Sequence, residues 1–574
     1  MSFITDAIRL DSEYRQLLDT ITKEFSTHKS YPIAISGLSD GASDSAIISL
    51  IEDTKKKRGK MPATIICYDE KECLRLQKLF TQFGYRAGFY LNRDLNFYNI
   101  TASHEYEHER LKVLFGILNS ELDVVVTTPD AALSYTIPPN ELRKSIIRLD
   151  TNTITTPREL CKFLTLCGYI NVDMVDGAGQ FAQRGGIVDI FAPGGFYVNE
   201  DGEKARADLP VRIEFFGDEI DRMGLFSIET QRMIENVECI EFSPAREILA
   251  SAEKIAKLRE AVSEQFKACK DADALMELTG ELNAIDGLNG EGGSLKFIDK
   301  YITLIYPERC SLFDYITDRT CLIIKGTNAI AERIRGAEWH QHQVIEELVA
   351  SGTIAPKYTD YSKPSAQYDL FCDRNVTLHT DSITQGLSGK NTSGIFHFRS
   401  KQTVSYDEKT DLLFEDIDQY LSGRFAVCVL CENEVFAKNI VGTLLEKEIK
   451  ASIEPENVAQ GEVGVFYKDQ FSGYELPSAR VAVLSTNRDG RNGGINSVSK
   501  SMRRRKKKSN TQQIFSYNDL EVGDLVVHEA YGIGKYAGIT NLVQDGIGHD
   551  YITIQYAGSD KLFLPVEKLD MVSK

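Results

Sequence analysis

The chain has 574 residues, 42% of them hydrophobic and 26% charged, with a net charge of −18. At ~150 residues per domain that length holds about four domains, and the acidic balance excludes a protein whose main business is coating nucleic acid, because duplex binding rests on neutralising phosphates. Eleven cysteines without regular spacing, no signal peptide at Met1-Ser2-Phe3-Ile4-Thr5 and no apolar run near the ~18 residues of a spanning helix predict a cytoplasmic protein with reduced thiols and no membrane partner.

Residues 1–150 alternate buried and amphipathic runs. Ile33 to Ser36, Ala63 to Tyr68 and Asp123 to Thr127 read as parallel strands, with Lys71 to Phe83 and His104 to Asn119 as helices, which predicts an α/β sheet domain. The first strand runs into Gly37-Leu38-Ser39-Asp40-Gly41-Ala42-Ser43-Asp44, the place of a phosphate-binding loop. Such a loop aims backbone N–H groups at phosphate, sends a Lys to the β and γ phosphates and holds Mg²⁺ with Ser or Thr. Counted from Gly37, Ala42 takes the second glycine position, Ser43 the lysine position and Asp44 the Ser/Thr position. The cation is missing and a carboxylate would repel phosphate, so the loop reads as a non-functional vestige. His104-Glu105-Tyr106-Glu107-His108 has the H-E-x-x-H spacing that places two imidazoles on one helix face for zinc, with Glu105 as base. Leu111 stands where the longer zinc-protease pattern has Gly, no His follows three residues later, and Glu107, Glu109, Arg110 and Lys112 read as a solvated helix face. No metal site is predicted.

From 151 to 244 short paired strands, punctuated by Gly185-Gly186, Gly194-Gly195 and Gly217-Asp218, predict an inserted small β-rich domain. Within it Arg184 sits at a glycine-flanked bend, as a surface ion pair or as an outward donor to a carboxylate partner. Residues 245–350 return to the first domain, with Tyr301 to Tyr306 and Thr320 to Lys325 as candidate strands. Lone Trp339 reads as a packing residue. Residues 360–487 form a second α/β domain of unknown role, with strands at Ala426 to Leu430, Ala451 to Ile453 and Val481 to Leu484. Its Cys428-Val429-Leu430-Cys431 lacks the second pair that zinc would want and reads as buried thiols. Residues 488–516, rich in Gly, Ser and Asn, read as a flexible linker. Its run Arg503, Arg504, Arg505, Lys506, Lys507 and Lys508 either contacts nucleic-acid phosphates or stays solvated. In residues 517–574 apolar runs separated by glycines predict a small β-barrel. The fold class is thus multidomain α/β with an inserted small β-rich domain, a second α/β domain and a carboxy-terminal small β-barrel.

Two blocks carry a resemblance. Gly179-Gln180-Phe181-Ala182-Gln183-Arg184-Gly185-Gly186-Ile187-Val188-Asp189-Ile190-Phe191, with Val211 to Asp221 and Thr230-Gln231-Arg232, resembles the domain shared by UvrB and the bacterial transcription-repair coupling factors (Mfd). The tail, with Val522-Gly523-Asp524-Leu525-Val526-Val527-His528, Gly532-Ile533-Gly534-Lys535-Tyr536-Ala537-Gly538 and Asp550 to Tyr556, resembles the polymerase-interacting module of CarD-type regulators and of the coupling factors. CarD-type regulators lack the first block and UvrB lacks the second; the coupling factors have both, in this order. The resemblance implies a UvrB-like module at residues 1–150, UvrA as partner of the inserted domain and the RNA polymerase β subunit as partner of the tail. Arg184 matches the arginine of the UvrA-facing strand and Phe191 the aromatic near it, while Ile170 stands near a second basic contact of the family. Tyr536, Ile539 and Leu542 fall in the segment that pairs with an edge strand of the β subunit. The resemblance further implies an ATP-driven DNA motor beyond Lys574. This chain is then expected to be an adaptor segment in transcription-coupled excision repair, with no catalytic residue and no cofactor of its own, ATP, Mg²⁺ and DNA belonging to the full-length family. The alternative is a stand-alone ATP-dependent DNA repair enzyme of UvrB type that uses the Gly37 loop and the basic run; a metalloprotease would need zinc at His104 and His108.

Overall fold

The computed structural model describes residues 3–27, 31–93, 104–288, 295–381, 391–406, 410–467 and 471–486, and in the tail 523–528, 532–544, 547–555, 561–565 and 572–573. Seven parallel strands form the first sheet, in the order Gly394–His397, Ile33–Ser36, Val376–Thr380, Cys321–Lys325, Ala63–Cys67, Val124–Thr127 and Ala87–Tyr90. A parallel sheet is covered on both faces, so its strands are continuous apolar runs. Ile33, Ile35, Ile65 and Ile323 pack with helices Ser12–Phe25, Asp40–Arg58 and Glu70–Gln82 on one side. On the other, Ile66, Val125, Leu322 and Ile324 pack with Glu105–Leu118, Ala252–Ala268 and Thr327–Ala350. Side-chain caps start the helices where the sequence supplies them: Asp69 accepts from the Glu72 N–H, and Thr156 with Glu159 closes a capping box on Pro157–Leu166.

Two expectations change here. Tyr301 to Tyr306 is helical, as Ile298–Tyr301 and Ile302–Ile305: Tyr301, Ile302, Ile305 and Tyr306 are buried and Thr303 and Leu304 half-buried, and so short an apolar run does not separate strand from helix by its spacing. Trp339 is 67% exposed: Thr327–Ala350 buries only Ile330, Ile334 and Leu348.

The second sheet, nine strands between Ile147 and Phe242, is almost wholly antiparallel. Its first strand, Ile147–Asp150, pairs with its last, Met233–Phe242, so the chain leaves and re-enters the first unit at neighbouring points. The return is fixed by buried charges. Glu247, with no exposure, accepts from Arg110 Nε (2.6 Å) and Thr136 Oγ1 (2.6 Å), and Arg93 donates to Asp299 (2.5 Å). Buried charges persist only when paired and hydrogen-bonded in this way.

The third sheet has six strands, Lys401–Gln402, Tyr474–Leu476, Val481–Ser485, Ala426–Cys431, Val463–Tyr467 and Ala451–Ile453. Val376–Thr380 and Gly394–His397 pair with the first sheet, so the unit built on this third sheet starts after residue 400 rather than near 360. It packs on the first unit through Tyr474, whose hydroxyl donates to the Ile4 carbonyl (2.9 Å), and through Ser478 with Asp11. A fourth, antiparallel sheet in the tail runs Lys561–Pro565, Ile547–Gln555, Gly532–Gln544, Leu525–His528 and Val572–Ser573. It forms a small β-rich domain. Among the described residues no helix is long and apolar enough to cross a membrane.

Candidate functional site

At the end of Ile33–Ser36 the chain turns through Gly37, with φ at 77°, into helix Asp40–Arg58. Other parts of the chain pack closely on that turn. The Ser39 N–H donates to Ser400 Oγ (2.7 Å), and that hydroxyl donates to the Gly37 carbonyl (3.0 Å). A Cβ on Gly37 would strike the Phe398 carbonyl oxygen, and one on Gly41 the Ser472 carbonyl oxygen. Ala42 and Ser43 are buried in the same turn. Asp44 is fully buried and accepts from Arg75 Nη1 (2.6 Å) and Nη2 (3.0 Å), with Lys325 Nζ at 3.5 Å. Glu72 takes both cations as well, from Arg75 Nε (2.8 Å) and Lys325 Nζ (2.7 Å). Burial pushes the Glu72 carboxyl up, but Lys325 and Arg75 outweigh it and hold it down at about 2. The cations at this end of the sheet are matched by the chain's own carboxylates.

The H-E-x-x-H segment opens helix Glu105–Leu118. His104 Nδ1 lies 3.2 Å from Glu107, which also accepts from Arg246 Nε (2.8 Å), and Glu105 points to solvent. Burial, then the neighbouring His104, hold the His108 imidazole down at about 3, and its ring lies against Gly179. Among the described residues no three His, Cys, Asp or Glu side chains gather as a metal site. Cys428 and Cys431 are buried, and burial pushes the Cys431 thiol up to about 12.

In the second sheet Arg184 and Phe191 stand at opposite ends of one hairpin: Arg184 faces Ile187 across the turn, while Phe191 faces Gln180. Arg184 is exposed, its Nη2 and Nε donating to the Asp173 carbonyl at 3.0 and 3.3 Å. Phe191 is 7% exposed and packs with Val175 and Ala182. Ile170 lies exposed on the two-residue edge strand beyond Gln180–Arg184. Exposed side chains of this domain that escaped the sequence reading include Ile154, Met174, Phe216 and Ile234. A signal for Phe216 existed, since along Val211–Phe216 it shares the parity of Arg212 and Glu214, opposite to buried Val211 and Ile213.

In the tail, Leu525–His528 pairs with residues 532–535 of the long strand Gly532–Gln544, and Asp524 and Gly523 bond the Tyr536 backbone at 2.8 Å each. Beyond Tyr536, among the described residues, that strand is paired on one side only, by Ile547–Gln555. The ladder shifts register between Tyr536 and Ile539, where Gly538 has φ at 103°, the mark of a bulge. The Tyr536 side chain is buried, whereas Ile539 and Leu542 occupy the half-paired stretch. The basic run Arg503 to Lys508 lies outside the described residues.

Two family models match the chain: the UvrB interaction domain over residues 147–248 and the CarD-like/TRCF RID domain over residues 520–574. The transcription-repair-coupling factor of Bacillus subtilis is 30% identical over 490 residues, which cover 82% of this chain and 39% of the relative. That of Staphylococcus haemolyticus is 26% identical over 481 residues, covering 83% and 39% respectively. The chain therefore spans 39% of the length of these relatives. With its UvrB interaction domain followed by a CarD-like/TRCF RID domain, the chain is a homologue of the transcription-repair-coupling factors over their amino-terminal part.

Proposed function

We propose that this chain is the adaptor portion of a transcription-coupled repair factor, holding RNA polymerase through its tail and recruiting UvrA through residues 147–248. The observation that carries the reading is the half-paired strand Gly532–Gln544, whose stretch from Ala537 to Gln544 offers one free row of backbone N–H and C=O groups among the described residues. An open strand edge binds another strand, with main-chain bonds giving affinity and alternate side chains giving selectivity. The occupant is an edge strand of the polymerase β subunit, Ile539 and Leu542 supply the side-chain contacts, and the five tail strands close as a small barrel behind that edge. Tyr536 acts from inside, by fixing the start of the edge.

In this reading the segment performs no chemistry and holds no cofactor. The ATP- and Mg²⁺-dependent translocase that acts on DNA and releases stalled polymerase belongs to the rest of the full-length family. The close packing at Gly37 and the Asp44–Arg75–Lys325 cluster weigh against a stand-alone ATP-dependent enzyme of UvrB type. The test is binding of the chain to the amino-terminal lobe of the β subunit, with Leu542→Arg as the variant. The expected outcome is binding that falls at least about tenfold on the substitution, since a charge replaces an apolar contact. A folded wild-type chain that does not bind the lobe would overturn the polymerase half of the reading.

A further inference from the structure

The inserted domain is joined to the first unit at two neighbouring strands, Ile147–Asp150 entering and Met233–Phe242 returning, paired from Ile147 with Phe242 to Asp150 with Cys239. So narrow a covalent connection is a hinge by default, since two units move relative to one another unless their contact is extensive. Here the contact is extensive, and it runs along one helix. Glu105–Leu118 turns Val113, Leu114 and Ile117 into the core of the first unit. His108, Lys112, Phe115 and the C-cap residue Asn119 follow one another at spacings of four, three and four, which places them on the opposite face. All four touch the inserted domain. A Cβ on Gly179 would lie 2.9 Å from His108 Cε1, and one on Gly194 would lie 2.9 Å from Lys112 Cγ, so these glycines let backbone rest directly on the helix. Phe115 stacks on Phe196, with 5.6 Å between ring centres and 19° between planes. Asn119 Nδ2 donates to Glu241 Oε1 (2.8 Å).

The row is braced at both ends. Near its start Glu107 accepts from Arg246 Nε (2.8 Å) and from the Glu247 N–H (2.6 Å), both on the returning chain. Past its end Glu121 accepts from Lys204 Nζ (2.5 Å), which lies over the Phe196 ring at 4.5 Å. From Glu107 to Asn119 the contact covers about 18 Å of helix at about 1.5 Å per residue. Contacts spread so far apart oppose rotation about the paired strands, because a turn that relieves one end opens or compresses the other. We propose that Glu105–Leu118 is a lock: His108, Lys112, Phe115 and Asn119 hold the inserted domain so that it and the first unit turn as one rigid body. A molecule that docks on residues 147–248 then meets them at an angle fixed by the first unit. The helix whose H-E-x-x-H spacing suggested zinc positions a domain instead. This inference goes beyond the proposed function and stands whichever partner the inserted domain takes.

The experiment is double electron–electron resonance on the whole chain, with spin labels on ketone side chains introduced at the exposed positions 221 and 260, one in each unit, which leaves the eleven cysteines untouched. The wild type is expected to give one narrow distance distribution. Gly194→Leu drives a side chain into Lys112 at a position whose backbone is not left-handed. Asn119→Ala combined with Glu121→Ala removes the polar contacts at one end of the row. Each variant is expected to broaden the distribution about twofold or to add a second distance. Ile234→Ser, at the far end of Met233–Phe242 and exposed, leaves it unchanged. Thermal melting separates a freed domain from an unfolded one, and the doubly substituted chain carries the test if Gly194→Leu melts early. A broadened or doubled distribution in a folded variant supports the lock. Folded variants that all keep the wild-type distribution overturn it, as does a wild type whose own distribution is already broad or doubled.

Discussion

The first and second sheets treat their exposed ends in opposite ways. In the first, the carboxyl ends of the strands, where an open α/β sheet takes its ligands, are covered from within: Ser400 and Phe398 cap the Gly37 turn, Ser472 lies on Gly41, and Asp44 and Glu72 match Arg75 and Lys325. In the second, the strand tips carry Arg184, Phe216 and Ile154 into solvent. The comparison separates two meanings of a surface motif. Where the chain has supplied its own ligand, a substitution costs stability and uncovers no binding; where it has supplied none, a substitution costs binding and leaves the fold intact.

The largest expected effect lies at Asp44. Asp44→Asn keeps the shape but takes the charge from beneath Arg75 and Lys325, and removing one partner of a buried ion pair costs about 3–5 kcal/mol. The denaturant midpoint of the first unit should fall accordingly, and calorimetry should register no ATP binding in either protein. Saturable ATP binding by the wild type would break the comparison, because the first sheet would then end in a site like any other.

A smaller effect appears in acid. The Glu72 carboxyl, held at about 2 by Lys325 and Arg75 against an ordinary 4.5, has a folded pKa below its unfolded one. The stability it contributes is therefore fully present above about pH 4.5 and is lost as pH falls towards 2. Linkage puts this at about 3 kcal/mol in all. Urea titrations of wild type and Glu72→Gln at pH 6, 4 and 3 should converge as the pH drops. Curves that stay parallel would show that the cluster does not set the acid limit.

How much of this was legible in the sequence depends on the physical range of each signal. Ile33–Ser36, Ala63–Cys67 and Val124–Thr127 were readable because a strand buried on both faces is a local apolar run. Which sheet a strand joins is not local: Ile33 pairs with Leu378 and Gly394, and nothing near Val376 or Gly394 says so. The sequence showed Ser43 where a phosphate loop has lysine, but the carboxylate at Asp44 gave no hint of Arg75 and Lys325, which arrive from other elements. Arg184 stood out by its glycine-flanked bend, whereas Phe191 sits near it in sequence and at the far, buried end of the hairpin in space. Phe216 was masked by its neighbour, since only one of two adjacent aromatics in a strand can face the core. The tail announced its strands through their glycines, but an edge left open among the described residues is a property of register, visible only once the pairing that runs from His528 back to Gly523 is seen to stop at Tyr536.

The smallest effect tests the covering itself. Gly41 has ordinary helical backbone, so Gly41→Ala carries no conformational penalty and would by itself favour the helix by about 0.5–1 kcal/mol. The added methyl, however, points at the Ser472 carbonyl of the third unit. Overpacking of this kind costs about 1–3 kcal/mol, so the net change is a loss of about 1–2 kcal/mol, and it falls on the contact between two units. The melting curve should broaden or split, with faster amide exchange at Ser45 and Tyr474, whose side chains both reach the carbonyl of Ile4 across the same contact. A single sharp transition at a raised midpoint would mean that Ser472 moves aside without cost, and the covered end of the first sheet would then be a loose lid rather than part of its core.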